Sequence, residues 1–144
     1  MIAPSTDSAR AEDWREVFLH RVEDMASLLA ELSAALAANC YSRRDCMGVR
    51  LALEQAILNG IQHGNRNDPA KCVRVSYRVD AEVVLAEIED EGPGFNADRV
   101  PDPTTSENLE KPSGRGLLLI RHYTSWLCYH GRGNCLTFCK YRAP

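Results

Sequence analysis

The sequence lacks three features: an apolar segment at either end, a basic patch, and a Cys-x-x-Cys pair. Its 17 lysine and arginine residues are scattered among 20 acidic ones, for a net charge of −3. Nucleic-acid-binding domains carry concentrated basic surfaces, so nucleic acid is not the expected partner. Without a secretory or membrane-spanning segment, we expect a cytoplasmic protein that does not bind membranes. Its expected partners are nucleotides and other proteins.

The six cysteines favour free thiols over a disulfide framework, because no export signal accompanies them. Cys135 and Cys139 are four apart in a segment typical of a strand, which places both on one face. Without a Cys-x-x-Cys pair or a nearby histidine cluster, we expect no zinc site there.

At 144 residues the chain fits one domain. Residues 1–13 are polar and without periodicity, so we expect a flexible tail before a single domain over residues 14–144. Residues 14–20 favour a strand, and the apolar spacing that follows favours an amphipathic helix. Ser42 is the expected N-cap of a second helix, with Met47, Leu51, Leu58 and Ile61 along one stripe.

Alternating apolar residues predict strands at residues 73–79 and 83–89, the second ending at Asp90. A helix at about 115–123 and strands near 125–129 and 135–141 complete the pattern. Residues 92–114 hold four prolines and little periodicity, which is typical of a lid. The order predicts an α+β two-layer sandwich with helices on one face of a mixed, largely antiparallel sheet.

Two glycine-containing segments suit a nucleotide. Asp90 opens the run Asp-Glu-Gly-Pro-Gly-Phe, where a carboxylate at a strand end can accept a hydrogen bond from an amine such as adenine N6. Gly92 and Gly94 let backbone approach the base. The run Ser-Gly-Arg-Gly ends at Gly116, just before the apolar residues 117–120. At the start of a helix, its backbone N–H groups would favour phosphate.

Together with the segment around Asn59, these runs resemble the N, G1 and G2 boxes of the GHKL (Bergerat-fold) ATPases, most closely the anti-sigma-factor serine kinases. The resemblance covers roughly residues 42–141. It implies ATP as ligand, Mg²⁺ held by Asn59, adenine bound by Asp90, and a nucleotide bordered by glycines. It also implies a Ser/Thr of an antagonist protein as phosphate acceptor, a sigma factor or similar regulator as partner, and a possible homodimer. The glycines concerned are Gly92, Gly94, Gly114 and Gly116.

One residue departs from the family pattern. The family has a glutamate general base four residues before the asparagine, and this chain has Gln55 there. Glu54 is five residues before Asn59, which is about 140° around a helix, so only a helix distortion would turn it inward. A glutamine amide orients a hydroxyl but does not take its proton near neutral pH.

Two basic residues have open roles. His63 either contacts phosphate or closes the helix, with Gly64 as a left-handed cap. Arg115 is either a surface charge or a phosphate clamp.

Three functions compete: a kinase of the anti-sigma-factor type, an ATP-gated binding module that sequesters a regulator without chemistry, and the catalytic domain of a sensor histidine kinase acting in trans. No His-Glu-x-x-x-Pro segment is present, so the third function would need the phospho-accepting histidine on another chain.

Overall fold

The computed structural model describes residues 14–94 and 112–143, and for residues 112–115 the backbone alone. Its strands are β1 (Arg15–Leu19), β2 (Val73–Val79), β3 (Val83–Glu89), β4 (Trp126–His130) and β5 (Cys135–Tyr141). They form one sheet in the order β1-β2-β3-β5-β4, and every pairing among them is antiparallel.

The helices are α1 (Met25–Ala38), α2 (Arg43–Leu58) and α3 (Pro112–Tyr123). A 3₁₀ turn at Val22–Asp24 precedes α1, and a π-helical turn at Asn59–Gly64 follows α2. As predicted, Ser42 caps α2: its Oγ accepts a hydrogen bond from the Asp45 N–H at 3.0 Å. Helix α3 begins three residues before its predicted start, with a proline at its first position, where the missing N–H has no cost.

The core lies between the helices and one face of the sheet. Alternate strand residues enter it, among them Val73 and Val75 of β2, Val84 of β3 and Phe138 of β5, all fully buried. From the helices, Leu32, Leu53 and Ile120 pack against them. This confirms the predicted α+β two-layer sandwich. The opposite face carries the intervening residues, including Arg74, Glu87 and Glu89.

The predicted apolar stripe of α2 is wrong at its N-terminal end. Met47 is 66% exposed, and Leu51 is half-buried. The buried face instead carries Val49, Ala52, Leu53, Ala56 and Ile57. Alanines on this face let α2 lie close to its neighbours, and their small size gives them little weight in an apolar pattern.

The predicted tail and most of the predicted lid, residues 95–111, lie outside the described residues. Within residues 14–94 and 112–143, no helix combines the length and apolar character needed to span a bilayer.

Candidate nucleotide site

Asn59 lies where α2 changes into the π-helical turn. Its backbone N–H bonds to the carbonyls of Gln55 and Ala56, and its dihedral angles (φ −60°, ψ −42°) are still those of an α-helix. The wider turn that follows carries the chain to Gly64 before it leaves the helix. π-helical insertions of this kind are frequent at functional sites.

Gly64 brings this turn directly against Asp90. A Cβ placed on Gly64 would lie 2.3 Å from Asp90 Cγ and 2.5 Å from each carboxylate oxygen. Any side chain at position 64 would therefore displace the carboxylate. Gly64 has no positive φ and lies inside the π-helical turn, so its predicted role as a left-handed cap is wrong. A glycine is needed there because the Asp90 side chain occupies the space.

The Asp90 carboxylate is held from one side. Its Oδ1 accepts a hydrogen bond from the Gly92 N–H at 2.7 Å. Within the described part of the chain, no donor bonds to its Oδ2. Burial raises the pKa of Asp90 above its ordinary value, and Glu89 adds to this, whereas the Gly92 N–H and Arg132 oppose it.

The loop after Asp90 passes between two turns of backbone. A Cβ on Gly92 would lie 2.2 Å from the Gly64 carbonyl oxygen. At Gly94, where φ is +74°, a Cβ would lie 1.9 Å from the Arg132 carbonyl oxygen. The Arg132 Nε in turn donates to the Gly92 carbonyl at 2.8 Å. Because both glycines are in close backbone contact, the loop has a defined path up to Gly94.

Asn134, in the turn between β4 and β5, fixes the backbone of Asp90. The Asp90 N–H donates to the Asn134 carbonyl at 2.9 Å, and Asn134 Nδ2 donates to the Asp90 carbonyl at 2.7 Å. This reciprocal pair extends the strand contact by one residue beyond β3, and so holds Asp90 on the sheet.

Asn65 joins the π-helical turn to the same loop. It is 3% exposed, its Oδ1 accepts from the Glu91 N–H at 2.8 Å, and its Nδ2 donates to the Cys72 carbonyl at 3.0 Å. Both ends of one buried amide are therefore used to connect the turn, the start of β2 and the loop after β3.

Gly116 brings α3 against the Asn59 side chain. A Cβ on Gly116 would lie 2.8 Å from Asn59 Nδ2 and 3.0 Å from its Oδ1. Gly114 and Arg115 belong to the first turn of α3. The Arg115 side chain lies outside the described part. The first N–H groups of a helix have no partner within it, so this end of the site offers donors to an anion.

Gln55 and Glu54 are both half-buried on α2. The helix is regular up to Asn59, so Gln55 remains one turn before Asn59 on the same side, and Glu54 remains about 140° away. The helix becomes π-helical only from Asn59 onward, so no distortion at Glu54 turns its side chain toward Asn59. His63 is exposed on the π-helical turn.

The structure thus brings together Asp90, Gly92 and Gly94 at one end and Asn59 with Gly116 at the other. Sequence reasoning missed three residues that position the first group: Asn65, Arg132 and Asn134. Two sequence features could have indicated them. Asn65 directly follows Gly64, and Arg132 and Asn134 belong to the turn-forming run Gly-Arg-Gly-Asn.

Comparison with known families defines the class of protein. Residues 18–140 match the family model of the histidine kinase-like ATPase domain. This match covers most of the chain, and the chain belongs to that family.

Among individual proteins, the chain is similar to several anti-sigma factors. The chain is 32% identical over 78 residues to the anti-sigma F factor of Geobacillus thermodenitrificans strain NG80-2 and 33% identical over 78 residues to that of Geobacillus sp. strain WCH70. The anti-sigma F factor of Bacillus cytotoxicus is 32% identical over 78 residues. Each alignment covers 52% of this chain and 53% of the relative, so the chain spans about half the length of the curated relatives it matches.

Proposed function

We propose that this chain binds ATP with Mg²⁺ and acts as a serine/threonine protein kinase of the anti-sigma-factor type. It would transfer the γ-phosphoryl group to a Ser or Thr of an antagonist protein and bind a sigma factor. Membership of the histidine kinase-like ATPase family and similarity to anti-sigma F factors support this. The observation that carries it is the Asp90 carboxylate lying against Gly64, with one oxygen bonded by Gly92 and no donor on the other among the residues that the structure describes.

At the adenine end, Asp90 Oδ2 accepts a hydrogen bond from the exocyclic amine. Asn134 holds the backbone of Asp90 and Asn65 holds that of Glu91, so the acceptor is oriented before the ligand arrives. Such pre-organisation reduces the entropy lost on binding. The close glycine contacts at Gly64 and Gly92 keep side chains out of this end of the site.

At the phosphate end, the residues present fit Mg²⁺. The ion prefers hard oxygen ligands and keeps several waters, so the amide oxygen of Asn59 with the nucleotide phosphates makes a suitable shell. When bound, Mg²⁺ neutralises charge on the phosphates. The first turn of α3, held beside Asn59 through Gly116, donates backbone N–H groups to the same phosphates.

Gln55 faces the same side of α2 as Asn59. Its amide would orient the acceptor hydroxyl but would not take its proton, which would pass to a phosphate oxygen of ATP or to solvent water as ADP leaves. Phosphoryl transfer depends mainly on positioning and charge stabilisation, so a kinase with glutamine here retains activity at a reduced rate.

The test is transfer of labelled phosphate from ATP to the cognate antagonist protein. Phosphate on a Ser or Thr of the antagonist, lost in Asn59→Ala and Asp90→Asn, supports the kinase. If ATP binds but no candidate antagonist is phosphorylated, the kinase proposal is wrong.

Gln55 also favours a second candidate, an ATP-gated binding module that sequesters a regulator without chemistry. Gln55→Glu distinguishes the two, and Gln62→Glu is the control because it adds the same charge at an exposed residue of the π-helical turn. For a slow kinase, we expect Gln55→Glu alone to raise transfer by about 10²-fold or more, the usual contribution of a general base. For a binding module, neither variant transfers phosphate.

A further inference from the structure

On the face of the sheet away from the helices, three side chains of different chemistry converge. The ligand atoms of Glu87, His130 and Cys135 all lie within 4.8 Å of one another. They come from three adjacent strands, β3, β4 and β5. We propose that Glu87, His130 and Cys135 form a binding site for Zn²⁺, separate from the nucleotide site.

The strand register explains how these residues meet. His130 and Cys135 are direct partners across the β4–β5 hairpin. Glu87 is the partner of Thr137, and Cys135 the partner of Glu89, so Glu87 lies diagonally from Cys135 on the same face. Sequence reasoning predicts no zinc site because no motif joins a histidine to Cys135. The four-residue turn between the strands creates the pair.

Thr137 draws the His130 ring toward the centre of the cluster. The His130 Nε2 and the Thr137 Oγ1 are 2.6 Å apart. Because Thr137 is the register partner of Glu87, this contact brings the ring across β5 toward β3. Because this contact uses Nε2, Nδ1 is the ring nitrogen that would bind the metal, with Thr137 orienting the ring from its other side.

The charge of this face favours a cation. Arg74 is the shared partner of three carboxylates: it contacts Glu87 closely, Glu89 at 3.3 Å and Glu16 at 3.7 Å. Beside Cys135 itself, Arg74 against Glu87 and Glu89 leaves a net charge of about −1, and the thiolate that binds a metal would bring this to about −2. A divalent ion would balance this excess.

The donor set and the spacing suit zinc. Imidazole, thiolate and carboxylate are its three usual protein ligands, and three of them leave a fourth position for water. Zinc bond lengths of about 2.0–2.3 Å place tetrahedral ligands roughly 3.2–3.8 Å apart. The ligand atoms lie within 4.8 Å of one another, so the most distant pair would need to approach by up to about 1–1.6 Å, and the exposed His130 and half-buried Glu87 side chains are the ones that would move. Binding would release the Cys135 thiol proton to solvent.

This site would stabilise the hairpin that supports Asp90. His130 and Cys135 flank the turn that contains Arg132 and Asn134, and those two residues bond to the loop at Asp90 and Gly92. A zinc ion would tie both sides of the hairpin to β3. The proposal does not depend on ATP binding or on kinase activity.

The test uses the untagged full chain, stripped of metal and kept reduced with a non-thiol reductant, without nucleotide or Mg²⁺. Zn²⁺ is titrated by calorimetry, and Co²⁺ is used as a spectroscopic probe for a thiolate-to-cobalt absorption band. We expect one ion per chain and a higher thermal unfolding temperature with Zn²⁺.

His130→Ala, Glu87→Gln and Cys135→Ser should each weaken Zn²⁺ binding by at least about tenfold. Cys128→Ser is the matched control: it lies on the same face of β4, opposite Thr137, but outside the cluster. His130 is exposed, so His130→Ala decides the question even if Cys135→Ser does not fold. Absence of saturable binding, or binding equally strong in His130→Ala, overturns the proposal.

Discussion

Gly64 and Asp90 are in such close contact that position 64 admits no side chain. A Cβ there would lie 2.3 Å from Asp90 Cγ, closer than any ordinary carbon contact. The contact joins the end of the π-helical turn to the end of β3. It thereby joins the π-helical turn and the loop after β3 into one unit.

Gly64→Ala should therefore displace the Asp90 carboxylate. We expect ATP affinity to fall by at least about tenfold, equal to about 1.4 kcal/mol, measured by calorimetry. Gly60→Ala is the control, because a Cβ there would meet Val73 Cγ2 at 3.0 Å and Asp90 Cβ only at 3.5 Å. Equal affinity in the two variants would show that the contact does not control the carboxylate.

Gly94→Ala should destabilise the fold more than Gly131→Ala. Both glycines have positive φ, +74° and +64°, which costs an alanine about 1 kcal/mol. At Gly94 the Cβ would also lie 1.9 Å from the Arg132 carbonyl oxygen, whereas at Gly131 the nearest atom is 3.2 Å away. Urea unfolding measures the difference. Similar midpoints for the two variants would contradict the close path of this loop.

Asn65→Ala should lower the free energy of unfolding by about 2 kcal/mol, because it removes both hydrogen bonds of the buried Asn65 amide, to the Glu91 N–H and to the Cys72 carbonyl. Asn39→Ala is the control, since the Asn39 side chain donates to Ala35 within one helix end. Urea unfolding of both variants provides the measurement. If Asn65→Ala loses less free energy of unfolding than Asn39→Ala, Asn65 does not stabilise the contact between the π-helical turn and the loop after β3.

Asp90→Asn should stabilise the ligand-free fold near neutral pH. Burial raises the pKa of the folded carboxyl, so the charged form is less favourable in the folded state than in the unfolded state. The stabilisation should disappear as the pH falls through the folded pKa to below about 3.9, the ordinary value, where Asp90 is neutral in both states. Thermal unfolding of both proteins from pH 7 to about pH 3.5 tests this. If the Asp90→Asn variant is still more stable than the native protein at low pH, the ionisation of Asp90 is not the cause of the difference in stability.

The sequence predicted those features that depend on local pattern. Strands β2, β3 and β5 have the predicted bounds because their apolar residues alternate with a period of two. The N-cap of α2 at Ser42 was predicted because a serine hydroxyl can accept a hydrogen bond from the first turn of a helix. Met47 was placed on the apolar stripe of α2 because of its hydrophobicity, whereas the buried face of α2 carries Ala52 and Ala56.

Contacts between distant segments were beyond sequence reasoning. Gly64 and Asp90 are 26 residues apart, and their proximity depends on the π-helical turn and the sheet register together. The same applies to Asn134 at Asp90 and to His130 with Glu87. Each of these residues, taken alone, has an ordinary local role such as a turn or a helix end. Only the folded structure shows that the two members of each pair lie close together.

A calorimetric titration of the purified protein with ATP, with and without Mg²⁺, beside Asp90→Asn, tests the nucleotide site at Asp90 most directly. We expect one ATP per chain, binding strengthened by Mg²⁺, and loss of binding in Asp90→Asn although that variant remains folded. ATP binding of equal strength in Asp90→Asn, or no binding by the native chain, would contradict a nucleotide site at Asp90.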